Sequence, residues 1–199
     1  MSNQPPERIP YTMISGPAYV FSNKDYHLTQ FLGALAVHTT NGLRPFVPLI
    51  VDLVLCRAVD NYLAYIGDLL ALVYATTPGR KTPSKLSHSG ISQKHEYLKA
   101  QLKFPLFETE ADLERAGRIV ETRNLFTHNR GIISPRFLDK VPGFKGTAGE
   151  PRQLPLEGVG DDLTFLQGSV RNIDFRAGRT FKIPRTLPLF GAMPPKPAQ

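Results

Sequence analysis

Apolar and polar positions along this chain recur with the period of α-helices. The longest such segment runs from about Phe46 to Ala75, where Leu49, Ile50, Leu53, Val54, Ala58, Leu63, Ile66, Leu70 and Val73 form a broad apolar band. A helix of that extent is about 45 Å long, enough to cross a small bundle from end to end. Asp52, Arg57, Asp60, Asn61 and Asp68 interrupt every window long enough for a bilayer, so the segment reads as a core helix and not a membrane span. Tyr26, Phe31, Leu32 and Leu35 predict a helix from Asp25 to about His38, closed by Thr39-Thr40-Asn41-Gly42. Ser89 or Ser92 would cap a short helix from Ile91 to Leu102, which Phe104-Pro105 ends. Thr109-Glu110-Ala111-Asp112 reads as a capping box with Asp in place of Glu. It opens a helix over residues 110–129, with Gly131 as its stop. Leu163, Leu166, Val170, Ile173, Ala177 and Phe181 predict a last amphipathic helix over 161–181, which Gly168 and Gly178 weaken.

The stretches between these helices carry breakers. Gly16-Pro17 marks a turn within residues 11–22, Pro135 to Val141 is compatible with one further helical turn, and residues 142–160 are a Gly/Pro-rich loop. Neither an internal repeat nor a hairpin signal is present. The pattern therefore predicts an all-α bundle of about five helices, with the long Gly/Pro-rich loop before the last one. The domain covers residues 23–182, between a polar, Pro-containing arm over 1–22 and a Pro-rich tail over 183–199. Leu187, Leu189 and Phe190 of the tail are placed to dock on the body or on a partner chain.

Composition adds direction. The 199 residues are 41% hydrophobic and 21% charged, which suffices for one domain with a proper core. The formal charge of +7 favours a polyanionic partner such as nucleic acid, provided that a phosphate-handling site accompanies it. Cys56 is the one cysteine, so no internal disulfide forms, and its apolar neighbours favour burial. The first residues lack an apolar stretch after a basic start and do not read as a secretory signal. The expectation is a cytoplasmic protein.

One helix carries polar residues where its stripe should be apolar. Over 110–129, Leu113, Ala116, Ile119, Val120 and Phe126 share a face, Arg123 falls near its middle, and Asn124 and His128 lie one turn apart on its edge. An arginine facing inward keeps its charge and needs an anion. That anion is either a carboxylate, Asp60 or Asp68 of the long helix, or a phosphate. In the first case His128 is an ordinary helix-end residue stabilised by the dipole. Asp60 and Asp68 could instead hold a metal or lie on a solvated edge. No third ligand sits at a supporting spacing, so neither a metal nor a cofactor is expected.

Arg80, Lys81 and Lys85 lie in a basic, hydroxyl-rich loop whose composition suits RNA phosphates and equally suits a solvated connector. Arg130 and Arg136 are further candidates for phosphate contact, or simply exposed surface. His88 and His95 are isolated. There is no Gly-x-Ser-x-Gly elbow, His-Glu-x-x-His, paired cysteine ligands or Rossmann glycine pattern, and Lys145-Gly146-Thr147 lacks the spacing of a phosphate-cradling loop.

Arg123-Asn124-x-x-x-His128, followed by Asn129-Arg130-Gly131-Ile132-Ile133, resembles the signature of the HEPN superfamily: an Arg, often a polar residue directly after it, and a His after four to six intervening residues. No other Arg and His of the chain have that spacing. The resemblance implies a HEPN-like helical bundle over about residues 45–180 and a metal-independent endoribonuclease of the toxin or antiviral defence kind. It implies RNA as substrate and a homodimer whose motif helices meet in a composite site. Arg123 and His128 would be the functional pair, with Asn124 orienting them. Attack by the RNA's own 2′-hydroxyl would leave a 2′,3′-cyclic phosphate and spare DNA. An antitoxin or regulatory partner would fit such an enzyme. Arg123 and His128 stand about 140° apart around their helix, which two copies related by a two-fold axis accommodate more readily than one. Two other readings are open. One is a non-catalytic HEPN module that binds RNA, a nucleotide or a partner protein. The other is a structural helical protein in which Arg123 is an internal salt bridge.

Overall fold

Ser15 starts the first helix, well ahead of Asp25. In the computed structural model, which describes residues 13–38, 42–77, 86 and 89–188, helix α1 spans Gly16–His38. Ser15 Oγ accepts from the Ala18 amide at 3.4 Å and Ser15 O from that of Tyr19 at 2.9 Å, so Ser15 is the N-cap. Gly16-Pro17 is not a turn. Proline in a first helical turn lacks only an N–H that has no partner there anyway. Ile14, Ala18 and Phe21 are buried in the core, so residues 13–22 belong to the body and not to an arm.

Helix α2, Val47–Thr76, follows a 3-10 turn over Arg44–Phe46 and forms the centre of the bundle. It is followed by α3 (Ile91–Leu102), α4 (Glu110–Asn129), the short α5 (Pro135–Lys140) and α6 (Leu156–Phe181). The fold is the expected all-α bundle, five long helices and one short one among the described residues. Leu55, Ala58, Val59, Tyr62 and Ile66 of α2 are fully buried between α1, α6 and α4. The Tyr62 hydroxyl lies 3.0 Å from Ser169 Oγ, and that of Tyr65 donates to Val170 O at 3.4 Å, so both rings are buried with their polar ends satisfied. No described helix is long and apolar enough to cross a membrane.

Several boundaries differ from the expectation for packing reasons. Helix α6 begins at Leu156, ahead of Asp161, because Leu156 and Val159 pack on the core and outweigh the low propensity of Gly158 and Gly160. Gly178 is no weak point: a Cβ there would lie 2.5 Å from Cδ of Arg185, whose side chain crosses α6 at that position. The cap of α3 is Gly90, whose amide donates to Gln93 Oε1 at 3.2 Å, and not Ser89 or Ser92.

The tail is anchored at its start. Met13–Ile14 pairs antiparallel with Leu187–Pro188, a two-residue ladder that the helical pattern does not signal. Beneath it, Asp174 of α6 accepts from the Ser15 amide at 3.2 Å, from Ser15 Oγ and from Arg185 Nε at 3.1 Å. Leu189 and Phe190 lie outside the described residues.

A second, smaller core holds the end of α4. Leu125, Ile133, Phe137 and Val141 pack together, and the Arg152 guanidinium stacks over Phe137 and Phe144 at 5.1 and 4.7 Å. The loop ahead of α6 folds back on the motif: Ile133 N donates to Glu150 O at 2.9 Å and Arg152 N to Gly131 O at 2.8 Å.

Candidate functional site

Helix α4 is built as its caps prescribe. Thr109 Oγ1 accepts from the Asp112 amide at 3.1 Å, and the helix ends with Arg130 in the left-handed region (φ 54°) followed by Gly131 (φ 75°). A Cβ on Gly131 would stand 2.8 Å from the Phe126 ring, so glycine is required there twice over. This stop places His128 in the last turn, exposed and close to α5.

Arg123 turns toward α2. Its Nη2 donates to Asp60 Oδ1 at 2.5 Å and its Nη1 to Asn124 Oδ1 at 3.1 Å. Its Nε is buried and has no hydrogen-bond partner among the described residues. Asn124 donates in turn to Glu121 Oε2 at 3.4 Å, and Lys140 of α5 donates to Glu121 Oε1 at 2.6 Å. A polar chain thus runs from Asp60 through Arg123, Asn124 and Glu121 to Lys140. Asp60 is the carboxylate that holds Arg123, whereas Asp68 is exposed to solvent. Glu121 is therefore neither free nor paired with an arginine; Lys140 takes it.

The structure sorts the expected site residues into groups. Asn124, His128 and Arg136 line one open groove of about 420 Å³ together with Glu121 and Ser134. Asn124, Glu121 and Arg136 also line an adjoining groove of about 610 Å³, which reaches Lys140 and the start of α3 at Ser89, Gly90 and Ser92. The two form one continuous depression. His128 makes no hydrogen bond or ion pair among the described residues, so both ring nitrogens are open to a ligand. Arg123 does not line this depression; it reaches it through Asn124. Arg130 is exposed at the helix end, outside the groove lining. Arg80, Lys81 and Lys85 lie outside the described residues.

Lys140 and Ser134 were not singled out by the sequence. Ser134 caps α5 by accepting from Phe137 N at 3.2 Å, and the Ser134-Pro135 pair is a helix-start signal that would have placed Arg136 and Lys140 one turn apart on one helix. The isolated His95 is a core residue: its Nδ1 accepts from the Phe107 amide at 3.3 Å, its ring stacks on Phe107, and burial lowers its pKa.

One face of α2 departs from the expected band. Phe46, Leu49 and Leu53 are 55%, 57% and 60% exposed, although Leu49 and Leu53 were expected in the core. Their spacing continues through Cys56 to Asp60, and Cys56 Sγ and Asp60 meet Thr127 and Arg123 of the motif helix. A stripe of three large apolar side chains therefore leads straight to the motif. Being a little over half exposed, each forgoes about 1–2 kcal/mol of what full burial would supply. Asp52 beside them is pushed up to about 6 by partial burial.

In chemical terms the depression offers a titratable imidazole, a guanidinium on Arg136, an ammonium on Lys140 and neutral amide and hydroxyl groups, next to an arginine fixed by a carboxylate. Such a set can hold a phosphodiester and move protons at it. No protein-family model matches the chain, and no curated protein or solved structure is significantly similar to it.

Proposed function

We propose that the chain is a metal-independent endoribonuclease of HEPN type, acting as a homodimer. One observation carries the reading: Asp60 and Asn124 fix Arg123, while His128 stands unengaged in the groove that Asn124 and Arg136 share. Metal-free cleavage of RNA needs a proton acceptor at the 2′-hydroxyl, a proton donor at the leaving 5′-oxygen and cations at the phosphorane oxygens. An imidazole suits the proton transfers. The guanidinium forks of Arg123 and Arg136 suit the charge on the phosphate. The apolar stripe of Phe46, Leu49 and Leu53, aligned with Asp60 and the motif helix, supports a second copy packing there. A two-fold contact at that stripe would bring two Arg123 and two His128 together. The toxin or defence role rests on the motif alone.

The test is incubation of the purified protein with RNA in excess EDTA, beside His128→Ala. Wild type should leave fragments ending in 2′,3′-cyclic phosphate, and the variant should lose about 10²- to 10⁴-fold in rate with an unchanged melting temperature. Intact RNA with the wild-type dimer would remove the enzyme reading. A second reading, a binding module without turnover, is favoured by the Arg123–Asp60 pair, which already neutralises the arginine. It predicts RNA retention on a filter that survives His128→Ala.

A further inference from the structure

Away from the motif residues, helices α1 and α6 line a cavity of about 120 Å³. We propose that it binds a small zwitterion with a branched apolar body, the chemistry of an aliphatic α-amino acid. The proposal stands apart from the ribonuclease reading and shares no residue with that site.

The cavity has three distinct parts. Ile14, Ala18, Phe21 and Val170 form an apolar wall. At the inner end Asp25 is completely buried: its Oδ2 accepts from Gln167 Nε2, but its Oδ1 has no partner among the described residues. At the outer end stands Arg171, exposed, with no hydrogen bond or ion pair among the described residues, one turn along α6 from Gln167.

Each part selects. A carboxylate oxygen left bare in an apolar setting is costly, and a donor that carries positive charge relieves it best. The Gln167 amide cannot supply a second donor to it, since the same Nε2 also donates to Thr29 Oγ1 at 2.9 Å. Burial is the leading influence on Asp25, raising its pKa to about 6, with Gln167 and Arg171 opposing. The arginine at the mouth therefore lies within electrostatic reach of the carboxylate. A ligand that spans the two must be positive inside and negative outside. The apolar wall beside them admits about four to six carbon atoms, on the measure by which an apolar cavity of about 150 Å³ admits benzene, which suits a side chain that branches from the carbon bearing both charges. An anion alone would meet Asp25, and a hydrocarbon alone would leave Oδ1 bare.

The experiment is calorimetric titration of the full chain with L-leucine, with 3-methylbutylamine, which lacks the carboxylate, and with 4-methylpentanoate, which lacks the ammonium. Leucine should bind tightest, the amine about tenfold more weakly, and the acid not detectably at the same millimolar concentrations. Arg171→Ala alters an exposed side chain, so the fold is kept. It should lower leucine to the affinity of the amine and leave the amine unchanged. Asp25→Asn, checked for an intact melting transition, should abolish both. The proposal is overturned if neither leucine nor the amine gives heat, which leaves the cavity to water, if the acid binds as well as the amine, or if Arg171→Ala leaves leucine binding untouched.

Discussion

Arg185 meets Asp174 at 3.1 Å with side chains 2% and 1% exposed, whereas Arg123 meets Asp60 at 2.5 Å with side chains 21% and 41% exposed. The chemistry is the same and the surroundings are opposite. Asp174 also receives both donors of Ser15, so its acceptors are filled by the protein itself, and the pair fastens one segment to another. Arg123, its side chain partly exposed, spends one N–H of Nη2 on Asp60 and one of Nη1 on Asn124, and the second N–H of each makes no hydrogen bond among the described residues. An arginine clamped on one side with capacity left over is preorganised for a further anion; one enclosed on all sides is a fastener.

The comparison can be broken in three ways. The largest effect belongs to Asp174→Ala, which strands a buried guanidinium and should lower the unfolding free energy by about 3–5 kcal/mol in urea titration. A loss below about 1 kcal/mol would show that the enclosed pair fastens nothing. Next, Arg123→Ala should cost about 10²- to 10³-fold in RNA cleavage, as loss of a donor to developing charge does. Its stability should change by no more than about 1 kcal/mol, since solvent already screens the pair. If instead it unfolds the protein as Asp174→Ala does, both arginines are fasteners and the enzyme reading loses its centre.

The smallest effect tests a third acid, Asp25, which is buried like Asp174 but lacks a bonded arginine. Burial lifts its pKa from the ordinary 3.8 to about 6. Above pH 7 the carboxylate is ionised in both folded and unfolded chains, and its desolvation penalty is fully present. As pH falls through 6 the folded chain takes up the proton first, so stability rises until about pH 4, where the unfolded chain protonates too. The gain should be on the order of 3 kcal/mol. Asp25→Asn should remove that rise, and a wild-type and variant pair of melting curves with parallel pH dependence would refute the assignment.

Periodicity located the long helices because burial of one face leaves a regular trace, and α2 and α4 agree with it to within a residue or so. Leu49 and Leu53 show its limit. A stripe tells which side of a helix is apolar but not whether anything covers it, and here nothing among the described residues does. The start of α1 was misread because Gly-Pro is a turn signal in isolation, and only Ser15 as a cap makes it a helix start. At the motif, the sequence narrowed the partner of Arg123 to a carboxylate or a phosphate and named Asp60 among the candidates. It could not place His128 beside Arg136, or Lys140 on Glu121, because those meetings depend on how α5 folds back over the end of α4.

The seam at Ser15, Asp174 and the short ladder ties together positions 159 residues apart in the chain. Bringing such distant positions together restricts the chain far more than docking helices that are neighbours in sequence. Helical hairpins such as α1 with α2 therefore have a head start in assembly, and the seam closes around a bundle already formed. Once closed, it makes the described chain a ring in all but covalent structure. A short linker from residue 188 to residue 13, with new ends cut in the surface loop between α5 and α6, should give a permuted molecule with the same core.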